Sequence, residues 1–425
     1  MLSGIPLPLL MTKSNNILGS NINLVKSHNV QAILLSLLQD GPISRVELAE
    51  KLSLSNTTIT NLMSELLDQG IILEEQVEIP EKRRRVGRPR RMLRLVPSAR
   101  YAVGVHIGVG IFRVAVTNLF AEIINGEIAK FDLTTPPDVV VKDIVRVIEL
   151  TIEKSNIERE KVIGIGVGAS GLVNYEKGIN VLAPRLGWEN VPIQHLMENQ
   201  LDLPVCVDNN VRTMALAEAF FGDGQGVGVL AFVYGRIGVG SGIVVNGQVF
   251  RGSGAGAGEI GHTTIIPQGG ETCSCGNTGC LETLLSEPVW IRHAEKLAAS
   301  HPDSILAAYL NRGNEGSPID LIFSAATDGD EFAQQFIEDR SCYLGIALAN
   351  LVNVLNPELI ILGGMFAQGS DLILPIAEAK MREAAFAGLG EKVRLEVTSF
   401  GWRAGVIGAA ALALTTFFYQ QTEGL

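Results

Sequence analysis

Cysteine is scarce in this 425-residue chain: there are five, an odd number, and three of them lie between positions 273 and 280. That count is poor for a disulfide framework and good for a metal site in a reducing compartment, so a cytoplasmic location is expected. Charge is sparse too, at 19% of residues against 47% hydrophobic, which excludes a disordered chain and indicates two or three globular domains. No apolar run reaches the length of a membrane span. The opening MLSGIPLPLL is apolar but has neither a basic leading region nor a clear cleavage site, so it is not read as a signal peptide. Residues 1–22 are expected to be a tail, with Met1 and Met11 both standing as candidate starts.

Basic charge is concentrated at the front. Residues 1–100 hold 13 Lys and Arg against 9 Asp and Glu; the remainder holds 21 and 36. A basic head on an acidic body suggests that only the head meets a polyanion. Glycine, by contrast, is plentiful at 46 residues and clusters mid-chain, a sign of tight turns and close backbone approach to a ligand.

Residues 23–98 read as a winged helix-turn-helix. Val30, Ile33, Leu34, Leu37 and Leu38 recur at helical spacing, giving a helix over about 23–39 that Gly41-Pro42 ends. Ser44-Arg45-Val46-Glu47 has the capping-box form, with Ile43 placed as a hydrophobic staple. After a tight connection at 53–55, Ile59, Leu62, Met63, Leu66 and Leu67 mark one face of a third helix, stopped by Gly70. Its other face carries Asn56, Thr57, Thr58, Thr60, Asn61 and Ser64, short uncharged polar residues of the kind that enter a major groove. These, with Ser55, are candidate DNA contacts. Segments 71–73 and 92–95 read as the strands of a wing. From Lys82 to Arg94 there are eight basic residues and no acidic one, so Arg83, Arg84, Arg85, Arg88 and Arg90 are expected to neutralise phosphates. Arg88-Pro89 beside Gly87 suits a minor groove.

Residues 99–425 alternate apolar strands with helical stretches, an α/β pattern. Strands are expected at 101–116, 162–167, 227–233 and 359–362. Helices are expected at about 144–152, 284–312, 331–354 and 404–418. The densest chemistry is GSGAGAGEIGH at 252–262 followed by CSCGNTGCLE at 273–282. His262, Cys273, Cys275 and Cys280 form a Cys3His set that suits a closed, structural tetrahedral zinc site. Folding that loop around an ion would bring Glu259 and Glu282 together, and carboxylates beside a positioned histidine grip vicinal hydroxyls.

Glu-Ile-Gly-His followed by Cys-x-Cys-Gly-x-x-Gly-Cys-x-Glu strongly resembles the signature of the ROK family (repressors, open reading frames and sugar kinases), and the likeness covers nearly the whole chain. The head resembles the winged helix of the family's repressor branch, including the Gly-Arg-Pro run at 87–89. The resemblance implies a two-lobed actin-like and hexokinase-like (ribonuclease H-like) sugar-kinase fold behind the head. It implies one lobe at about 99–208 plus the C-terminal helix, and a second at about 209–402. It also implies zinc on His262, Cys273, Cys275 and Cys280, and a sugar of the xylose, glucose or N-acetylglucosamine class on Asn209, Asn210, Glu259, His262 and Glu282.

The same resemblance marks departures. Family kinases carry a catalytic Asp after the sugar-binding Asn; here Asn210 stands there, and an amide cannot act as a general base near neutral pH. Their first phosphate turn reads Asp-x-Gly-Gly-Thr, whereas this chain has His106-Ile107-Gly108-Val109-Gly110. Their second reads Gly-Thr-Gly, against Arg236-Ile237-Gly238 here. Arg185 sits in a sugar-side loop where Asn is common. A non-enzymatic, sugar-responsive repressor is therefore expected, working as a homodimer or dimer of dimers on operator DNA. An ATP-dependent sugar kinase with a fused DNA-binding head is the alternative.

Overall fold

The computed structural model describes residues 22–76, 91–311 and 316–421. The head begins with helix Ile22–Asp40, then Arg45–Leu52 and Asn56–Asp68. Ser44 caps the second helix as a full capping box: its side chain accepts from the Glu47 amide, and Glu47 accepts from the Ser44 amide. Ile33, Leu34, Leu37, Leu48, Ile59, Leu62, Met63 and Leu66 are all buried in one cluster, so the helical spacing in the sequence maps directly onto the core. The wing strands are Ile72–Gln76 and Arg91–Leu95, antiparallel. Ile43, expected only as a staple, lies in a third, two-residue strand and pairs with Leu93.

The body holds two five-stranded sheets. In the first, the order is Val205–Asn209, Val162–Ala169, Tyr101–Gly108, Ile111–Asn118, Ile123–Lys130. In the second, it is Gln248–Val249, Val239–Val245, Val229–Gly235, Leu359–Gly364, Arg394–Val397. The single strand expected over 101–116 is two, because Gly110 at φ 69° turns the chain after Gly108. The helical stretch expected over 284–312 is broken into Glu282–Leu285, Glu287–Ser300 and Ile305–Leu310. Pro288 and the Ser304 cap, which accepts from the Ala307 amide, set the later two starts.

Helix Ala404–Leu414 is buried at every position and packs on strands Tyr101–Gly108 and Val162–Ala169 and on helix Asn210–Phe221. Gly166 makes this possible: a Cβ there would lie 1.9 Å from the Ala409 carbonyl oxygen. The helical run Gly401–Tyr419 is long and apolar enough to span a bilayer by length and composition, contrary to the sequence expectation, but it is 72% buried within the protein. Its alanines and glycines are small and let the helix sit close against its neighbours, which is why so apolar a run is buried.

Candidate functional site

A cleft of about 1140 Å³ is lined by residues of both sheets and of the loops between them. It brings together Asn209, Asn210, Glu259, His262 and Glu282, which are scattered over 74 positions of sequence. Strand Val205–Asn209 delivers Asn209 to the start of helix Asn210–Phe221. There its Oδ1 accepts from the Val211 and Arg212 amides at 2.9 and 3.2 Å, while Nδ2 donates to the Gly171 carbonyl at 2.9 Å. Asn209 is therefore the helix cap, a role the sequence reading missed although Asn is a preferred cap. Asn210 Nδ2 donates to Ser170 Oγ at 3.3 Å, and its Oδ1 accepts from the Val211 amide.

Glu282 is nearly buried. Its Oε2 accepts from the Val239 amide at 3.1 Å, and its Oε1 accepts from Arg185 at 3.1 Å and Ser274 at 3.4 Å. Glu259 is open to the cleft but walled in by protein. That enclosure raises its pKa, with His262 and Arg212 pulling the other way. Behind the cleft, buried Asp208 is paired to Arg251 at 2.8 Å and to Arg212 at 3.4 Å. Asp208 lies on strand Val205–Asn209 and Arg212 on the helix that follows, so no spacing within a single element signalled this brace.

His262, Cys273, Cys275 and Cys280 place their donor atoms within 4.8 Å of one another. Cys273 Sγ lies 3.6 Å from His262 Nδ1, and Cys275 Sγ lies 3.7 Å from Cys280 Sγ. A tetrahedral ion held at ordinary Zn–N and Zn–S lengths sets such donors about 3.3–3.8 Å apart, so the donor set fits a metal ion. The loop is tied for the purpose. The Cys273 amide donates to the Asn277 carbonyl at 2.7 Å, and the Leu281 amide donates to the Thr263 carbonyl at 2.9 Å.

On the other wall stand residues that the sequence marked only as departures. His106 is 8% exposed and neither ring nitrogen has a hydrogen-bond partner. Burial, with Arg113 and Arg236 close by, pushes its pKa down to about 3, so the ring is neutral.

In the head, Ser55, Asn56, Thr57, Thr60 and Asn61 are exposed on the third helix. Ser55 is also its cap: its Oγ accepts from the Thr58 amide at 3.0 Å and bonds the Thr58 hydroxyl at 2.8 Å. Thr58 is half-buried and belongs to that cap as much as to the outer face. Arg91 and Arg94, part of the basic run, pair with Glu74 and Glu75 across the hairpin. Arg83, Arg84, Arg85, Arg88 and Arg90 lie outside the described residues.

A winged head on a two-sheet body, with a cleft beside a Cys3His loop, defines the class, and the chain belongs to the ROK family. The ROK profile matches residues 102–416, and a winged helix-turn-helix DNA-binding profile matches residues 27–72. The chain is 30% identical over 395 residues to the xylose repressor of Caldicellulosiruptor bescii, covering 93% of this chain and 97% of that one. It is 33% identical over 319 residues to a glucokinase of Halalkalibacterium halodurans, covering 74% of this chain and 95% of that one. A crystal structure of a ROK family transcriptional regulator, a homolog of the E. coli Mlc protein, superposes with a TM-score of 0.80 at 30% identity, covering 93% of this chain and 97% of that chain. The expected fold class is thus borne out.

Proposed function

We propose that the protein is a cytoplasmic transcriptional repressor of carbohydrate-use genes, released from operator DNA by a sugar bound in the cleft. The observation that carries this reading is one chain holding both an exposed polar face on the third helix and an enclosed cleft walled by Asn209, Asn210, Glu259, His262 and Glu282. Zinc on His262, Cys273, Cys275 and Cys280 would have a full set of four protein ligands and no open position, so its part is structural. With His262 Nδ1 turned to the thiols, Nε2 is left for a sugar hydroxyl. Glu259 supplies a second acceptor, and Asn210 binds without acting as a base.

The body acts as a sensor and not as a kinase. Asn210 takes no proton from a hydroxyl, and neutral His106 beside Arg113 offers no carboxylate to a magnesium ion. Two heads of a homodimer, or of each dimer in a dimer of dimers, bind two half-sites. Sugar shifts the heads only as far as it prefers one arrangement of the body.

The test is mobility of the protein on its own promoter DNA with and without glucose, xylose and N-acetylglucosamine. Release by one of them names the inducer. Binding that none of them changes refutes the sensor reading for these sugars. Turnover of ATP with any hexose in a coupled assay would establish the kinase alternative instead.

A further inference from the structure

We propose that Arg340, His293 and Glu271 form a positioning chain that pins the Cys3His loop to helices Glu287–Ser300 and Glu331–Leu355 and slows the release of a metal ion from it. The proposal rests on the reading of that loop as a zinc site. Glu271 stands where the loop crosses itself. Cys273 is two residues on, and the Glu271 carbonyl accepts from the Gly279 amide at 2.9 Å, next to Cys280. The crossing is tight, since a Cβ at Gly279 would lie 1.7 Å from the Ile266 carbonyl oxygen. From this crossing the Glu271 side chain reaches helix Glu287–Ser300. There His293 Nε2 donates to Oε1 at 2.8 Å, and Arg292 pairs with Oε2.

His293 is fixed from both sides. Arg340, on helix Glu331–Leu355, donates to His293 Nδ1 at 2.8 Å. A guanidinium has no acceptor, so Nδ1 must accept, and the ring proton sits on Nε2, aimed at Glu271. Burial lowers the pKa of the ring, with the Glu271 bond opposing, and this tautomer stays neutral. The platform behind it is packed. Trp290 is buried and meets the Phe336 ring edge-on at 5.4 Å, which joins the two helices. The Arg340 guanidinium lies 5.2 Å over that same ring. The Arg292 pair is half-exposed on both sides, so water screens it and it adds little. His293 is only 20% exposed, so its link is the less screened of the two and sets where Glu271 sits.

The test is the rate of zinc release from the full chain into excess chelator, beside the absorption spectrum of the cobalt-substituted protein. His293→Leu removes both bonds of the ring and should speed release by roughly ten-fold and shift the cobalt bands. His293→Gln can still accept from Arg340 and donate to Glu271, so it should restore most of the native rate and the native spectrum. Glu271→Ala, at a half-exposed side chain, should speed release by a similar factor without disturbing the fold. The double variant should be no faster than either single one, because both break the same chain. Factors that multiply in the double variant overturn the proposal. So does release that neither His293→Leu nor Glu271→Ala moves, and so does His293→Gln releasing as fast as His293→Leu. In each of these cases the zinc site itself stands. Native protein that holds no zinc removes the zinc reading, and the proposal with it.

Discussion

Arg185 donates to Glu282 Oε1 at 3.1 Å, so a carboxylate that faces the cleft is already engaged by a cation from a neighbouring loop. A ligand hydroxyl must compete with Arg185 for that oxygen. Replacing the cation by the shorter amide in Arg185→Asn should strengthen sugar binding several-fold, by roughly the 1 kcal/mol of a partly exposed ion pair. Calorimetry with the inducing sugar reads this directly. Weaker binding would mean that Arg185 holds the ligand itself.

Metal content is the second test. Native protein should carry about one zinc per chain, and Cys280→Ser should carry almost none. Cys280 is fully buried and would lose both its metal and its packing, so Tm should fall by more than about 5 °C. Full metal loss without a change in Tm would show that the loop keeps its shape unaided.

In the head, Asn61→Ala and Thr57→Ala should weaken operator binding by about 1–3 kcal/mol each while leaving Tm alone, since both side chains are exposed. Ser55→Ala should differ. Loss of the cap costs about 1 kcal/mol of stability, so its Tm drops along with its affinity. Neutralising Arg83, Arg84 and Arg85 together should flatten the salt dependence of binding by about 0.9 for each phosphate that the variant leaves unneutralised. An unchanged slope would remove the basic run from the interface.

Glu218 gives a pH signature. It is fully buried, and burial pushes its pKa from 4.5 up to about 7, against the opposing pull of the Thr398 hydroxyl and the Asp223 amide. The folded state therefore keeps a proton that the unfolded chain releases above pH 4.5. This contribution to stability is present below that pH and is lost as pH rises through about 7, to a total of roughly 3 kcal/mol. Glu218→Gln should match the native Tm near pH 5 and exceed it near pH 8. Parallel melting curves would contradict the assignment.

The head was legible because its signals are local. Helical spacing, a capping box and a glycine stop each lie within a few residues, and all three reappear in place. The Cys3His loop was legible for the same reason. The cleft was legible only in part, since Asn209 and Glu282 meet across the fold through strands whose register no short window carries. The Arg185–Glu282 pair joins residues 97 positions apart, so nothing near either one announces it. His106 read as a missing acid, whereas its cross-strand alignment with Arg113 depends on the hairpin that the sequence reading had merged into one strand.

The first helix of the head touches the last turn of the body: Gln31 Nε2 donates to the Gln421 carbonyl at 2.5 Å, just beyond the buried helical run Gly401–Tyr419. Gln421 thus lies beside the first helix of the winged head. Bulk introduced beside Gln421 would press on the first helix of the winged head, so a reporter belongs elsewhere.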